Sequence, residues 1–489
     1  MLSFSLLQTM PVPALPTLQA EFGTSTTTVS WVLSAFLLTA SVATGLLSRL
    51  GDMFGKRRVL LACVAVSAVG TLLTALAPSI GVLIAARAIQ GVGAATFPLA
   101  FGIVRDEFSR ERVPVAIGWI SSTFGIGFGV GLVFPGVIVD VLSWEWIFWL
   151  MFAVIVAGIV AVAAFVRESP VRSPGRVDWA GAPLLTGGLV ALLLAISEGR
   201  VWGWGSAAII GLFAAAVVLL VVFALVEKRL AQPLIDIELL GRPAVLTSNV
   251  IALIIGFGMY GAFTLVPLLV ETPPQAGYGF GASVTEAGLF IIPMAVTMLF
   301  ASPLAGRIGT KAGFKLPLVL PCVIGAAGFV LFAVAHGEPW PIYLGNGILG
   351  IDVGFAFASL ASLVVGAVDP RQTGEATGIN TIMRTIGGTF GAQIASTMVT
   401  TEVVEGTRFP VESGYTTAFV LSAIAMGVAA LVALAGPRRL VPAPAPHAVA
   451  LDERYGHDLL FGAVLTPATG GRNWRCTSRG SPTARGWTW

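Results

Sequence analysis

Long apolar runs follow one another along almost the whole chain, and they constrain the fold more than any other feature. A helix needs about 20 consecutive apolar residues to cross a bilayer. Only 11% of the 489 residues are charged and 56% are hydrophobic, too little charge for a water-soluble protein of this length. The sequence therefore predicts an all-α, polytopic membrane protein with about fourteen transmembrane helices. The predicted spans are 1–18, 28–48, 59–77, 80–104, 115–137, 146–166, 179–197, 207–226, 246–270, 286–305, 316–335, 340–365, 374–399 and 416–436.

The first span differs from the others because it is short and contains three prolines in "MLSFSLLQTMPVPALPTLQ". A cleaved signal peptide is the rival interpretation. The segment has neither a basic n-region nor a clear A-x-A cleavage site. We therefore expect a transmembrane segment that begins upstream of the first residue.

Lysine and arginine fall almost entirely on alternate loops. Counting from the loop after the second span, one side holds 19 of them, whereas the other side holds only Arg200 and Arg408. The positive-inside rule makes the first side cytoplasmic and places both termini there, in the cell membrane. An odd number of spans would scramble this separation, so the charge distribution also favours fourteen.

One basic loop occurs twice. "SRLGDMFGKR" from Ser48 aligns with "GRIGTKAGFK" from Gly306 at an offset of 258, and the region of Gly118 matches that of Gly378 at an offset of 260. Internal repeats of this kind are typical of secondary transporters, which bind substrate between the repeats. The repeat predicts an N-terminal six-helix half over 1–166 and a C-terminal half over 246–436. Residues 167–245 then supply two extra helices with linkers, and 437–489 are a Pro-, Gly- and Arg-rich tail that we expect to be disordered.

Residues 1 to about 436 resemble the major facilitator superfamily, specifically its fourteen-span drug:proton antiporter branch. The resemblance rests on three motifs that occur in the same order along the chain. The loop pattern G-x-L-x-D-x-x-G-[RK]-[RK] is matched by Leu50, Asp52, Gly55, Lys56 and Arg57, with Ser48 in place of the first glycine. The fourth-span pattern R-x-x-Q-G-x-G is matched by Arg87, Gln90, Gly91 and Gly93. The thirteenth-span stretch "GEATGINTIMRTIGG" supplies Gly374, Gly378, Arg384, Gly387 and Gly388, with Asn380 one position early.

The resemblance implies that the repeated loop is a conformational latch that steadies the state closed to the cytoplasm. Its residues would be Asp52, Gly55, Lys56 and Arg57, together with Gly309, Gly313 and Lys315 of the second copy. Gly55 suits a turn that a side chain would hinder. A simple topology anchor is the alternative interpretation of this loop.

Two arginines and one acid lie inside predicted spans, where a charge costs at least about 2.5 kcal/mol. The resemblance implies that Arg87 couples the proton and substrate sites, with Gln90 beside it; snorkelling to the interface is the alternative. Asp352 is the deepest acid in the chain. It could carry a proton, because burial favours the neutral form of a carboxyl group, or it could pair with Arg384.

Two departures from the family pattern weaken the case for antiport. Many members of this branch have an aspartate in the first span where this chain has Leu7. The fifth-span pattern G-P-x-x-G-G is replaced by "GLVFPG", in which Gly131 and Gly136 remain and Pro135 has a new place. Its small residues still favour close helix packing, and the proline still disturbs helical hydrogen bonding.

The sequence therefore predicts a proton-coupled exporter of small hydrophobic or drug-like compounds, functional as a monomer in the lipid bilayer. A uniporter or importer of a small metabolite is one alternative, and a non-transporting membrane sensor is another. No enzyme site, nucleotide-binding loop, cofactor or metal site is indicated by the placement of His336, His447, His457 and the three cysteines. The net charge of +3 comes from the tail and does not indicate nucleic-acid binding.

Overall fold

A computed structural model describes residues 1–172, 178, 180–230, 233–313, 315–400, 403, 409–436, 464–466 and 475–477. Two compact units divide the chain, Met1–Pro442 and Ala443–Trp489. The first unit is built from helices throughout. In chain order these are α1 Leu2–Thr9, α2 Pro11–Glu21, α3 Thr26–Phe54, α4 Lys56–Ala75, α5 Ile80–Gly91, α6 Thr96–Glu107, α7 Val113–Val141, α8 Glu145–Phe165, α9 Gly181–Trp202, α10 Ala207–Glu227, α11 Ile237–Gly241, α12 Pro243–Glu271, α13 Val284–Ala312, α14 Lys315–Val334, α15 Pro339–Ala367, α16 Thr373–Thr400 and α17 Glu412–Ala435.

Twelve helical segments in the described part of the chain are long and apolar enough to cross a membrane. One of them joins α5 and α6 through the 3-10 turn Val92–Ala95, so the predicted fourth span is a single helix with a tightened middle. The all-helical membrane architecture is thereby confirmed. The count of fourteen is not, because the first and thirteenth predicted spans fall outside these twelve.

The predicted first span is two short helices rather than one. Helix α1 ends at Thr9, and α2 begins at Pro11 and contains Pro16. Proline has no N–H to donate and its ring clashes with the preceding turn, so it ends or kinks a helix. The same prolines that make this span unusual in the sequence therefore divide it.

The predicted thirteenth span is one helix, α16, but it is polar for its length. Glu375, Asn380 and Arg384 lie within it, and threonine recurs at every fourth position from 373 to 389. Four of these hydroxyls donate to the carbonyl one turn earlier, as in Thr381 to Thr377 at 3.0 Å. Such internal bonds satisfy the hydroxyls without a partner helix.

Contacts between segment 1–166 and segment 246–436 run along several pairs of helices. Helix α7 packs along α13 and α15, and α16 packs along α3 and α6. Helices α9 and α10 pack against each other, and their leucines form a core with Ile379, Ile382 and Ile386 of α16 and with α3. Helix α9 of the extra pair therefore covers the contact between α3 and α16.

The second unit contains the described strands β1 Val464–Thr466 and β2 Arg475–Thr477, which pair antiparallel. The remainder of the tail that the sequence analysis predicted to be disordered lies outside the described residues, as do Arg176 and Arg408.

Candidate functional site

The basic loops meet at one end of the helix bundle, which we call the basic end. A cluster of charged side chains lies there. The cluster, named the latch below, comprises Arg49, Asp52, Lys56, Asp106 and Glu375. Lys56 Nζ lies 2.7 Å from Asp106 Oδ2 and 3.6 Å from Asp52 Oδ1. Arg49 Nη1 lies 3.6 Å from Glu375 Oε2. Because these side chains are buried, each charge depends on its partners in the cluster.

Asp52 connects the two segments of the chain directly. Its Oδ2 accepts a hydrogen bond of 3.1 Å from the backbone N–H of Glu375. That N–H is in the first turn of α16, where amides have no partner within the helix and the helix dipole favours an anion. The end of α3 is thus bonded to the beginning of α16.

A second set of bonds at the basic end comes from Arg105 of α6. Its guanidinium donates to the carbonyls of Val368 and Asp369, at 2.6 and 3.1 Å, and to the hydroxyl of Thr373 at 2.6 Å. The two carbonyls belong to the turn between α15 and α16, and Thr373 is the first residue of α16. The planar, five-donor guanidinium suits this divergent set of acceptors better than an ammonium would.

Gly55 makes the turn between α3 and α4 with φ of 114°, a conformation that L side chains rarely adopt. A Cβ atom there would also lie only 2.8 Å from Glu168 Oε1. Glu168 accepts the backbone N–H groups of Arg57 and Arg58, at 3.1 and 3.2 Å, and so caps α4. Glycine at this position therefore allows the linker after α8 to hold the turn.

Not every predicted latch residue reaches the latch. The Arg57 guanidinium donates to the carbonyl of Ala163 in the same segment, at 2.7 Å. In the second copy of the loop, Gly313 makes the corresponding helix break with φ of 79°, and Gly309 lies within α13. Lys315 Nζ donates to the carbonyl of Leu434 at 2.7 Å. Among the described residues the second copy therefore makes no cross-segment ion pair, although Gly306 at its start packs against Pro114 of the first segment.

Arg87 is fully buried among backbone carbonyls. Its guanidinium donates to the carbonyls of Val32 and Leu7, at 3.0 and 2.9 Å, and to Gln90 Oε1 at 2.5 Å. It also lies 4.4 Å from the ring centroid of Phe36. The Leu7 carbonyl that accepts from Arg87 belongs to the residue that stands where the sequence resemblance implies an aspartate.

Arg384 and Asp352 do not form the ion pair that the sequence analysis considered. The Arg384 guanidinium lies 4.0 Å from the ring centroid of Phe357. Asp352 lies at the opposite side of α15, where a Cβ at Gly325 of α14 would be 2.6 Å from Asp352 Oδ2 and 2.6 Å from the Met426 methyl group. The orientation of α15 about its axis points the Asp352 carboxylate toward α14 and α17. Asp352 therefore does not pair with Arg384.

A cavity of about 190 Å³ lies between the two segments. Its walls combine aromatic and aliphatic side chains with few polar ones. They are Gln8, Thr9, Val12, Leu33, Phe36, Leu37, Phe128, Leu132, Tyr260, Phe263 and Thr264. The rings of Phe128 and Phe263 stack across the segments with centroids 3.8 Å apart, and Gln8 donates to the Tyr260 hydroxyl.

The cavity lies away from the basic end. On α3, which ends at the basic end with Phe54, the lining residues are Leu33, Phe36 and Leu37, about halfway back along the helix. On α12, which begins at the basic end with Pro243, they lie beyond its middle, at 260–264. The latch thus closes one end while the cavity occupies the other half of the bundle.

The predicted packing residues lie at close helix contacts. A Cβ at Gly131 would meet the hydroxyl of Thr9, and one at Gly136 would meet that of Thr285 on α13. Gly91 approaches the carbonyl of Phe36. Helix α7 continues through Pro135 to Val141.

Several site residues escaped the sequence analysis. Asp106, Glu168 and Arg105 lie in or beside basic loops, and Glu375 stands inside the quoted thirteenth-span motif, yet no sequence signal marks which distant group each one meets. The cavity aromatics resemble any apolar helix residue in the sequence. Among the described residues no group of three or more His, Cys, Asp or Glu side chains could hold a metal ion, and Cys63 and Cys322 are buried free thiols.

Comparison with known proteins matches residues 1–392 to a model of the Major Facilitator Superfamily. An uncharacterized MFS-type transporter of Mycobacterium tuberculosis is 33% identical over 398 residues, 78% of this chain. The chain spans only 56% of that relative's length. The cephamycin export protein CmcT of Amycolatopsis lactamdurans is 33% identical over 429 residues, which are 84% of this chain and 85% of CmcT.

Among solved structures, the human organic anion transporter MFSD10 has the same fold. Its TM-score is 0.64 at 18% sequence identity, and the match covers 88% of this chain and 96% of MFSD10. These relatives indicate a transporter rather than an enzyme, and they do not distinguish the fourteen-span branch from others. The family model extends over well more than half of the sequence, and the chain belongs to the Major Facilitator Superfamily.

Proposed function

We propose that this multi-pass membrane protein is a secondary active transporter that exports small, mostly apolar compounds by alternating access. The observation that carries the proposal is the combination of a latch closing one end with a cavity between the segments toward the other. An alternating-access transporter requires such a pair, because its substrate site must open to one side at a time. The name of the relative CmcT supports export as the direction.

The proposed membrane arrangement has fourteen spans. The twelve apolar helices are joined by the α1–α2 pair, as one broken span, and by α16, whose polar residues face other helices. Segments 1–166 and 246–436 form the two halves, with the extra pair between them. The basic end faces the cytoplasm, both termini are cytoplasmic, and the protein works as a monomer in the cell membrane.

The latch has contacts of two kinds. Opening the basic end breaks the bonds that cross between halves, from Asp52 and Arg49 to Glu375 and from Arg105 to the α15–α16 turn. The pair of Lys56 with Asp106 lies within the first half and can persist. Gly313 and Lys315 fix the corresponding turn of the second half rather than the latch itself.

Asp352 is the proposed proton carrier. It is 97% shielded from solvent, and no described cation forms an ion pair with it. An unpaired carboxylate inside a membrane protein is costly, so the group gains by taking a proton. Arg87 and Gln90, which bond to each other between α1, α3 and α5, would transmit the change to the cavity wall through Phe36.

Uniport is the second candidate function, and the cavity itself favours it. None of the described lining residues is acidic, and the position of the usual first-span acid is occupied by Leu7. A transporter without a carboxyl group in its cavity can move substrate down its own electrochemical gradient. Import by the same route requires only a reversed gradient.

The test uses purified protein in liposomes that contain a trapped pH-sensitive dye. Ethidium, chloramphenicol and naphthalene-2-sulfonate supply a cation, a neutral compound and an anion of drug-like size. Each is added under an imposed pH gradient to wild type, Asp352→Asn and Arg87→Ala. Glu286→Gln serves as the control, because it also neutralises a charge but lies in the first turn of α13, at the end of that helix away from the basic end.

Coupled export predicts proton movement that depends on one of the probes and is lost in Asp352→Asn but not in Glu286→Gln. Probe movement without proton movement would establish uniport in its place. If no probe crosses faster than through protein-free liposomes, the transport proposal for these compound classes fails.

A further inference from the structure

Arg384 is a cation without an anionic partner. The guanidinium lies against the face of Phe357, and no described carboxylate forms an ion pair with it. It is half-buried in the interior of the bundle. A ring face compensates a buried positive charge by only about 0.5–2 kcal/mol, less than the cost of removing the charge from water.

Arg87 presents the same situation in the other half. Its bonds go to two backbone carbonyls and one amide oxygen, and its Nη2 has no described hydrogen-bond partner. The side chain is fully buried. Among the described residues this guanidinium also lacks a carboxylate, so its full positive charge remains uncompensated.

Both cations stand directly behind the walls of the cavity. Phe36, which covers Arg87, lines the cavity. Tyr260, another lining residue, packs on Gly388, which is one helical turn from Arg384 on α16. A second route of contacts runs from Arg384 to the ring of Phe357, from Phe357 to Phe124, and from Phe124 to the lining residue Phe128. The cavity is therefore flanked by a positive charge in each half.

Among the described residues no acid forms an ion pair with Arg87 or Arg384. Asp352 is turned toward α14 and α17, and Asp52, Asp106 and Glu375 are engaged in the latch at the basic end. Coulomb interactions are strong where water is excluded, so an anion entering the cavity is attracted by both guanidinium groups, and a cation is repelled by both.

We propose that the cavity binds organic anions that carry one carboxylate or similar acidic group on a flat aromatic body. The acidic group lies toward Arg384 and Tyr260. The aromatic body lies among Phe36, Phe128 and Phe263, where ring stacking supplies affinity. A cavity of about 190 Å³ accommodates a ligand of two fused rings. The inference names a substrate class for the proposed transporter and rests on that function, but its test measures binding alone.

The test compares three naphthalene ligands of nearly equal shape and different charge. Isothermal titration of the purified full-length protein at pH 7.5 measures 2-naphthoate (anion), 2-naphthamide (neutral) and 2-naphthylmethylammonium (cation). We expect 2-naphthoate to bind about tenfold more tightly than the amide, and the ammonium compound to bind most weakly.

Variants then identify the cations responsible. Arg384→Gln is expected to lower the affinity for 2-naphthoate about tenfold and to change that for 2-naphthamide less than threefold. Arg384→Lys keeps the charge and restores part of the preference. Arg87→Gln lowers the preference for 2-naphthoate less than Arg384→Gln does, because Phe36 lies between the Arg87 charge and the ligand. Arg200→Gln is the matched control, since Arg200 is exposed, bonds to Ser396 and is not among the residues that line the cavity.

The inference is overturned if the amide or the ammonium compound binds as tightly as 2-naphthoate. It is equally overturned if the anion preference persists in both Arg384→Gln and Arg87→Gln, or if none of the three ligands binds at millimolar concentration. Should Arg384→Gln fail to fold, Arg384→Lys and the wild-type ligand series still decide whether the cavity prefers anions. Charge-selective binding in a protein that moves no probe in liposomes would support the site and remove the proposed transport.

Discussion

Replacing Asp52 with asparagine is the sharpest test of the latch. The substitution keeps the shape of the side chain and an oxygen that can accept the N–H of Glu375, but it removes the negative charge. Lys56 keeps its nearer partner, Asp106 Oδ2 at 2.7 Å, so no buried cation loses its only partner. The change removes the attraction of Asp52 to Lys56 within the same segment and its attraction to the first turn of α16, and of these two only the second crosses between the segments.

The expected magnitude follows from the two terms that are lost. A hydrogen bond to a charged acceptor contributes about 1 kcal/mol more than a neutral one. The interaction with the helix dipole contributes about 1 kcal/mol in a partly buried setting. Relief of the cost of burying a carboxylate offsets part of this sum, which leaves about 1–2 kcal/mol in favour of opening. The ratio of open to closed molecules at the basic end should rise roughly five- to thirtyfold.

Distances between spin labels measure this ratio. Arg110 and Arg371 are both exposed at the basic end, in the α6–α7 and α15–α16 connections, and labelled cysteines there report the separation of the two segments. Wild type should show mainly the short distance, and Asp52→Asn should show a larger long-distance fraction. Glu286→Gln, at the other end of α13, should leave the distribution unchanged.

The reasoning is refuted if Asp52→Asn leaves the distribution unchanged or shifts it toward the short distance. Either result would mean that the free-energy cost of burying the Asp52 carboxylate is at least as large as the stabilisation from its contact with α16. The latch would then depend on Arg105 and Arg49 instead.

Three further predictions concern the same end of the molecule. Gly55→Ala forces a side chain into a positive-φ turn and toward Glu168, so it should lower the free energy of unfolding by about 1–3 kcal/mol, seen as a reduced Tm. Arg105→Lys loses the fork that reaches three acceptors and should raise the long-distance fraction several-fold in the spin-label assay. Asp178 accepts backbone amides at the start of α9. Burial alone would raise its pKa, but hydrogen bonds from the Gly181 amide, the Glu227 carboxyl group and the Ala180 amide lower it overall. Its contribution is therefore complete above about pH 4 and is lost as pH falls through the lowered pKa, so the Tm difference between wild type and Asp178→Asn should be present at pH 7 and should shrink as pH falls below about 4.

The sequence predicted those features that depend on local chemistry. Apolar runs ended by charged or Pro/Gly-rich breaks gave helices close to their observed bounds, as in 246–270 against Pro243–Glu271. The repeated loop predicted two equivalent turns, and both Gly55 and Gly313 indeed have positive φ. The prolines that made the first span unusual divide it into α1 and α2.

Partners that are distant in the chain could not be predicted in this way. Asp52 and the Glu375 amide are 323 residues apart, and Gln8 and Tyr260 are 252 apart. Their contacts depend on how whole helices rotate and pack, which hydrophobic periodicity does not record when all faces of a span are apolar. The same uncertainty explains the failed pairing of Asp352 with Arg384, since a turn of α15 about its axis decides which neighbour the carboxylate meets.

The charge of the substrate and the source of energy are linked in this molecule. Moving one charge through 100 mV is worth about 2.3 kcal/mol, and a membrane potential that is negative inside drives anions outward. If the cavity binds anions and opens to the cytoplasm at the basic end, that potential alone powers export of a singly charged substrate, and no acid in the cavity is needed. Selectivity for anions would then explain both the Arg87 and Arg384 charges and the absence of acids among the described lining residues. Liposomes with an imposed potential and no pH gradient separate the cases: naphthalene-2-sulfonate should still move if the potential drives it, and Asp352→Asn should not slow that movement.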